Sequence, residues 1–433
     1  MILRLSDSLV RGLLVVAALV VAVVISFFAL RMAIAAGAGD GTTAKDLELA
    51  ARLEPRNAEY WYRLGYYLEF NLEDPQPDRA LDAFHHAIAL YPHYPEAWLD
   101  LATSYELDGN IEAARDAYLH AKESYPASAE VAWRYGNYLL RTGDLPHAFE
   151  ELHHALQSDP HRAAAAFSRV YRADPNIDDI LKKVLPAQPD VYIGVIAEAS
   201  SAGQLGVALQ VWAQLLTLQP HLDIRDFYTL VYALLAAGEN ADARRVWDQG
   251  IATQNLPPLL QPRGSVIWDP SFESGLSNVN VFFVWQFQPI VQGVRTTFDT
   301  TQKHSGVQSL RISFDGQQNP NFDIACTFGM VEPGTHYLFT GWIKTQDLTT
   351  NQGIFFRLHD LGKNAAAPLD SREIHGTTPW TAVDLPWSAG PETRRVQVCV
   401  RRDPSDNPDV RISGNAWVDD VTLVPQPSEP GKP

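Results

Sequence analysis

Residues 98–126 read Trp-Leu-Asp-Leu-Ala-Thr-Ser-Tyr-Glu-Leu-Asp-Gly-Asn-Ile-Glu-Ala-Ala-Arg-Asp-Ala-Tyr-Leu-His-Ala-Lys-Glu-Ser-Tyr-Pro. This stretch decides the fold because its key positions return. Pro92, Pro126 and Pro160 are spaced by 34 residues, as are Ala87, Ala121 and Ala155, and Ala114 and Ala148. Such a period marks a stacked repeat in which each unit is a pair of helices. The small residues Ala102, Ala114 and Ala121 let paired helices approach. Trp98, Leu101, Tyr105 and Tyr118 fill the space between them, and proline stops the second helix. The preceding copy carries Trp61, Leu64, Gly65, Ala80, Phe84, Ala87 and Pro92, with three extra residues in its Asn71–Asp78 turn. The following copy carries Gly136, Ala148, Leu152, Ala155 and Pro160.

This pattern resembles the tetratricopeptide-repeat family over residues 56–160. Ahead of it, Ala50 and Pro55 read as the second helix of a half repeat adjoining the apolar N-terminal segment. Beyond it the register degrades over Ala163–Pro189, then returns at Ala208, Trp212 and Pro220, and again at Ala243 and Trp247. The expectation is an α-solenoid over 46–260, with five or six hairpins and an irregular one near 161–185. The resemblance implies a concave groove lined by first-helix positions: Tyr62, Tyr66, Glu69, Thr103, Glu106, Trp133, Asn137 and Arg141. That is an aromatic groove with carboxylates, suited to an extended apolar or weakly basic segment of a partner protein. The alternative is that Tyr62, Tyr66 and Trp133 pack between repeats. Some family members clamp a C-terminal carboxylate with Lys and Asn; here Asn137 is present, but Trp133 stands where the Lys belongs. His86, His120 and His154 share one register. Packed helices stand about 8–10 Å apart, too far for one shared metal, so these read as surface histidines.

The N-terminal 40 residues have a different character. Gly12 to Leu30 carries no charge, and the apolar run resumes after Arg31 to reach Ala36, long enough to cross a hydrocarbon core of about 30 Å. Arg4 and Arg11 precede it, which places the N-terminus in the cytoplasm and the bulk of the chain outside. Arg31 and Lys45 weaken that asymmetry, and Ala33-Ile34-Ala35 offers a signal-peptide cleavage site as the competing reading. The expected location is single-pass in a bacterial inner membrane.

At Leu256-Pro257-Pro258 and Pro262-Arg263-Gly264 helical periodicity stops. Strand-like stretches follow at Gln308–Phe314, Tyr337–Lys344, Gly353–His359, Arg395–Arg401 and Ala416–Val424, which predicts an antiparallel sandwich over 264–425. The phrases Asp269-Pro-Ser-Phe272-Glu273-Ser-Gly275, Trp285, Ser305-Gly306, Pro333-Gly334, Trp342, Trp380 and Trp417-Val-Asp419-Asp420 resemble the jelly-roll carbohydrate-binding modules that accompany xylanases. The fold class expected is therefore α + β multidomain: a transmembrane helix, an α-solenoid and a C-terminal antiparallel β-sandwich (jelly roll). Residues 426–433 read as a disordered tail.

Alternation along each strand assigns faces. It sends Trp342 and Lys344 outward from one strand, Phe355, Arg357 and His359 from the next, and Gln397 and Arg401 from a third. Placed in one sheet, these form a polar-aromatic face of the kind a glycan needs; the alternative is a face that packs on a loop or on the solenoid. The resemblance also implies a structural calcium held by Glu273 and Asp420, with Asp419 beside it. Cys326 and Cys399 lie in strand-like stretches of one domain, and outside the cytoplasm they are expected to form a disulfide.

The charge is uneven. The chain holds 34 Lys+Arg against 51 Asp+Glu, a net −17 over 433 residues. Residues 46–262 account for 16 against 31, a net −15, and residues 264–425 for 12 against 17, a net −5. A polyanion binder needs a basic surface, so nucleic acid is not an expected partner. The sequence contains no phosphate loop, dinucleotide fingerprint, zinc-protease pair or nucleophile elbow, and an enzyme is not expected. The reading is a membrane-anchored extracytoplasmic scaffold that binds protein through its groove, in bacterial envelope or exopolysaccharide assembly or export. Its alternatives are a carbohydrate-recognition protein with the solenoid as spacer, and a glycoside hydrolase.

Overall fold

The computed structural model describes residues 8–254, 264–275, 282–288, 291–363, 365–406 and 411–427. Leu256-Pro257-Pro258 and Pro262-Arg263, where helical periodicity stops, residues 428–433 of the expected tail, and Arg4 lie outside these. The chain divides into two compact units, residues 1–198 and 199–433.

In the first unit, α1 (Ser8–Gly39) is followed by α2 (Ala44–Leu53), α3 (Ala58–Phe70), α4 (Pro77–Leu90), α5 (Pro95–Leu107), α6 (Ile111–Ser124), α7 (Ala129–Thr142), α8 (Leu145–Ser158) and α9 (Ala163–Ala173). The helix starts are capped by residue types that favour the position. Asn57, Asn110 and Ser128 accept from backbone N–H groups of their first turns, and proline opens α4 and α5. Helices α3 with α4, α5 with α6, and α7 with α8 pack as hairpins. The small positions are buried as predicted, Ala80, Ala87, Ala102, Ala114, Ala121, Ala148 and Ala155 among them. Where a Cβ is absent the neighbour moves in: a Cβ on Gly65 would lie 2.8 Å from Phe84, and one on Gly136 3.0 Å from Leu152.

α2 packs between α1 and α3, next to the apolar helix that the half repeat was expected to adjoin. The region expected to be irregular is so. After α9 come a three-residue α10 (Ile177–Asp179) and a π-helical turn at Ile180–Val184, before α11 (Pro189–Ser201).

The second unit holds α12 (Leu205–Thr217), α13 (Ile224–Ala237) and α14 (Asn240–Ala252), then ten strands. These are β1 (Gln286–Phe287), β2 (Val294–Asp299), β3 (Ser309–Asp315), β4 (Phe322–Met330), β5 (His336–Leu348), β6 (Phe355–Asp360), β7 (Leu369–Asp370), β8 (Gly376–Ser388), β9 (Arg395–Arg402) and β10 (Ser413–Pro425). They form two five-stranded sheets, β1-β4-β9-β6-β7 and β2-β3-β10-β5-β8, with every pairing antiparallel. The core between them includes Leu310, Ile312, Phe339, Ile343, Phe356, Leu358, Val396, Val398, Val400 and Val418. β8, unmarked in the sequence reading, contains Pro379 and Pro386 and occupies a sheet edge, where a missing N–H is tolerated. α14 packs on the sandwich through Trp247, whose ring meets Trp268 at 5.2 Å and Phe283 at 5.1 Å.

Two expectations are corrected here. β5 belongs to the second sheet, so Trp342 and Lys344 do not share a face with the candidates on β6 and β9. Strand order is a long-range property that alternation within a strand does not encode. Phe355 is on the outer side of its sheet as expected but is only 2% exposed, covered by its neighbours rather than open.

Candidate functional site

The groove residues fall into two clefts. Thr103, Glu106, Trp133, Asn137 and Arg141 come together with Arg134 and Arg169 in a cleft of about 400 Å³. Tyr62 and Tyr66 line a second, aromatic one beside Gly39, Tyr67 and Phe70. Glu69 lines neither; it is half-buried, with a carboxylate oxygen that has no partner.

The carboxylates of the first cleft are already engaged. Asp100, buried on α5, accepts from Tyr62 Oη of α3 at 2.9 Å and from Arg134 Nη1 of α7 at 2.8 Å. Arg134 also donates to Thr103 Oγ1 at 2.6 Å. Burial would lower the Arg134 pKa, but the Asp100 charge raises it above its ordinary value. Glu106 accepts from Arg141 Nη2 at 2.6 Å and from Tyr118 Oη at 2.7 Å. Burial, together with the bond to Glu106, pushes the Tyr118 phenol up to about 12. The groove expected to be acidic is thus neutralised from within at these positions.

One cation stands over. Arg169, on α9, places its guanidinium 4.7 Å from the Trp133 ring centre and donates to Asn137 Oδ1. Among the described residues it has no carboxylate partner. Burial, and then repulsion from Arg141 and Arg172, holds its pKa below the ordinary value. The Asn137 amide is fixed from the other side by its own bond to Trp133 O at 2.6 Å. Sequence reasoning missed Arg169 because it lies in α9, where the 34-residue register is lost.

The periodic histidines also have a local role. His86 stacks on Trp61 at 4.6 Å and His120 on Trp98 at 4.5 Å, while each indole N–H donates to a proline carbonyl, Pro55 or Pro92.

On the sandwich, the outer face of the first sheet is an ion-pair lattice. Arg357 pairs with Asp370 at 2.6 Å and lies over the buried Phe355, while Arg401 pairs with Asp403 and Asp323, both at 2.9 Å. Cys326 and Cys399, directly opposite on β4 and β9, are disulfide-bonded. Gln397 is half-buried and His359 exposed at the edge of this lattice. The far end is covered, since Phe282 stacks on Phe328 at 4.3 Å with Arg395 over it.

The outer face of the second sheet is the aromatic one. His304 stacks on Trp342 at 3.7 Å, and Trp380 stands edge-on to it at 5.8 Å. Lys344 and Arg311 lie over the buried Trp417, whose Nε1 donates to Asp299 Oδ2 at 2.9 Å.

His304 connects this face to the expected calcium ligands. Its Nδ1 is 2.6 Å from Asp420 Oδ2, and its backbone N–H donates to Asp419 Oδ2 at 2.7 Å. Ser271 and Ser305 hydroxyls donate to Asp420 Oδ1, and the Val307 N–H donates to Glu273 Oε1. Burial, and then the Asp420 charge, pushes Asp419 up to about 6. Burial acts the same way on Asp420, but the bonds from His304, Ser271 and Ser305 hold it below its ordinary value. These oxygens already face protein donors, and Glu273, Asp419 and Asp420 do not gather as a three-ligand cluster among the described residues.

Residues 72–133 match the tetratricopeptide-repeat family model. Solved structures similar to the chain include YrrB, described as a tetratricopeptide protein with an unusual peptide-binding site, at 17% identity over 49% of this chain and 94% of that one, TM-score 0.27. Another is pilF of Pseudomonas aeruginosa, at 17% identity over 45% and 89%, TM-score 0.26. The module TmCBM61, solved with β-1,4-galactotriose, is similar at 16% identity over 37% and 99%, TM-score 0.27. No curated protein sequence matches the chain. Tetratricopeptide-like hairpins and a two-sheet β region are thus the architecture, with carbohydrate-binding modules among the structural neighbours of the latter.

Proposed function

We propose that this chain is a membrane-anchored adaptor whose tetratricopeptide groove holds an extended segment of a partner protein through a carboxylate on that segment. The observation that carries the reading is Arg169, stacked on Trp133 and bonded to Asn137 in a cleft whose own acids are already paired. Arg169 is exposed enough for a ligand to reach, and a stacked guanidinium without a counter-charge favours an incoming carboxylate, since bonds to charged groups contribute about 1.5–3 kcal/mol each before solvent screening reduces them. α1 anchors the chain with its N-terminus in the cytoplasm; its apolar length and exposed side chains support this. The setting we favour is assembly or export of an envelope polysaccharide in a bacterium. The support is the pairing of a peptide groove with a sandwich that presents aromatic rings.

The test is a peptide array probed with the full chain in detergent, each peptide present with a free and an amidated C-terminus and with internal acids exchanged for amides. Peptides bearing a carboxylate are expected to bind, and Arg169→Gln to weaken them about tenfold or more. Equal binding of the amidated set, or an unaffected Arg169→Gln, sinks the reading.

A carbohydrate-recognition role for the sandwich is the second reading, favoured by the half-exposed Trp342 and Trp380 around His304. On a glycan array it requires binding that Trp342→Ala abolishes and Arg357→Ala, on the opposite sheet, leaves intact.

A further inference from the structure

α1 changes role along its length. From Gly12 to Leu30 its 19 residues are exposed and uncharged, and apolar but for Ser26. At 1.5 Å per residue they span about 28 Å, the thickness of a hydrocarbon core. From Arg31 onward the same helix belongs to the folded unit. Ala35 is fully buried, the Tyr60 ring lies against Gly39, and Arg31 Nε donates to Leu53 O at 2.6 Å. That bond holds the C-terminal end of α2, and the turn after it, at the level of the first residue beyond the hydrocarbon. An open cleft lies there, lined by Phe28, Arg31, Met32, Glu54, Arg56 and Asn57.

We propose that this cleft seats one phospholipid with a phosphoethanolamine headgroup, an inference that rests on the anchor reading above. Arg31 and Arg56 take the phosphate, Glu54 takes the ammonium, and an acyl chain runs along Phe28 and Met32. Arg31 spends its Nε and Nη2 on Leu53 O and keeps further N–H donors for a second acceptor. Arg56 is exposed and makes no ion pair or hydrogen bond among the described residues. Two guanidiniums beside apolar side chains at headgroup depth match a phosphate ester on an acyl tail. The carboxylate selects the head. Glu54 repels a purely anionic lipid, and a choline head has no N–H to donate, whereas a primary ammonium offers three donors.

The experiment uses the full chain in nanodiscs of equal parts phosphatidylethanolamine, phosphatidylglycerol and phosphatidylcholine, released into native mass spectrometry to identify retained lipid. One retained phosphatidylethanolamine per chain is expected, with its occupancy reduced about tenfold in Arg56→Gln and selectivity over phosphatidylcholine lost in Glu54→Gln. Arg56 is exposed and Glu54 half-exposed, and a thermal transition of each variant unchanged from the wild type, followed by circular dichroism, shows that it folds. Preferential retention of phosphatidylcholine or phosphatidylglycerol, or full occupancy in Arg56→Gln, overturns the site while leaving the anchor standing. Failure of the wild-type chain to enter nanodiscs removes the anchor and the site with it.

Discussion

Replacing Gly65 by Ala tests whether the helix pair α3–α4 is packed as tightly as the geometry states. The new Cβ would stand 2.8 Å from Phe84 Cδ1 and 2.9 Å from Cε1, and Phe84 is fully buried, so neither ring nor helix has free space to yield. Overpacking of this kind costs about 1–3 kcal/mol. Alanine returns about 0.5–1 kcal/mol through helix propensity. The net is about 1 kcal/mol of destabilisation, which raises the local opening constant of α3 about fivefold. Hydrogen exchange of the amides of Leu64–Phe70 in the full chain reads it directly. Position 102, one repeat on, already carries alanine, so the backbone geometry admits a Cβ; what resists is the seat of this phenylalanine. The double variant with Phe84→Leu should therefore recover most of the loss. Gly206→Ala is the control, with nothing within 4 Å of its Cβ, and should slow exchange slightly or leave it unchanged. If Gly65→Ala protects α3 as Gly206→Ala protects α12, the packing argument fails.

Other outcomes follow from the same contacts. His153 is half-buried, with Nε2 3.0 Å from Gln157 Nε2; burial, and then repulsion from His154, hold its pKa below the ordinary value against the influence of the nearby Val184 backbone. A histidine depressed in the folded state contributes stability that is present above its ordinary pKa and lost as pH falls through the folded value. The helical transition should therefore drop between pH 7 and pH 5 by more in the wild type than in His153→Leu, and parallel melting curves would contradict this. Opening the Cys326–Cys399 bridge, which closes 73 residues of sequence, should cost about 4 kcal/mol in the loop-entropy account. Differential scanning of Cys326→Ser/Cys399→Ser against the oxidised chain measures it, and an unshifted sandwich transition would refute it. Removing calcium with a chelator should leave that transition in place, since Asp419, Asp420 and Glu273 are held by protein donors; a drop of several degrees would return a cation to the site.

The repeat was legible because its signal is local and redundant: Ala87, Ala121 and Ala155 each announce the same close approach. Strand faces were legible for the same reason, since Val396, Val398 and Val400 turn inward in the sandwich as alternation requires. What was illegible depends on contacts between distant segments. Nothing within Tyr337–Lys344 tells that β5 pairs with β10 and β8 rather than with β6. Alternation gave the side on which Phe355 lies but not the Arg357 that covers it. The loop residue His304 carried no periodic mark, yet it joins Trp342 to Asp420. Arg169 was hidden by the broken register. α2 looked like half of a hairpin because its partner is the end of a helix that composition assigned wholly to the membrane.

The carboxylate of Asp100 has one further consequence. A stacked-repeat protein ordinarily melts like a row of loosely coupled beads, each feeling only the next. Here a single buried side chain on α5 is held by a phenol from α3 and a guanidinium from α7, so three successive units share one charge. Fraying α3 strips that buried charge of one of its two bonds and fraying α7 strips it of its counter-charge, a penalty that falls on the remaining units as well. The groove should thus lose its shape in one step rather than unzip from an end, and its curvature is set as a block before any partner arrives.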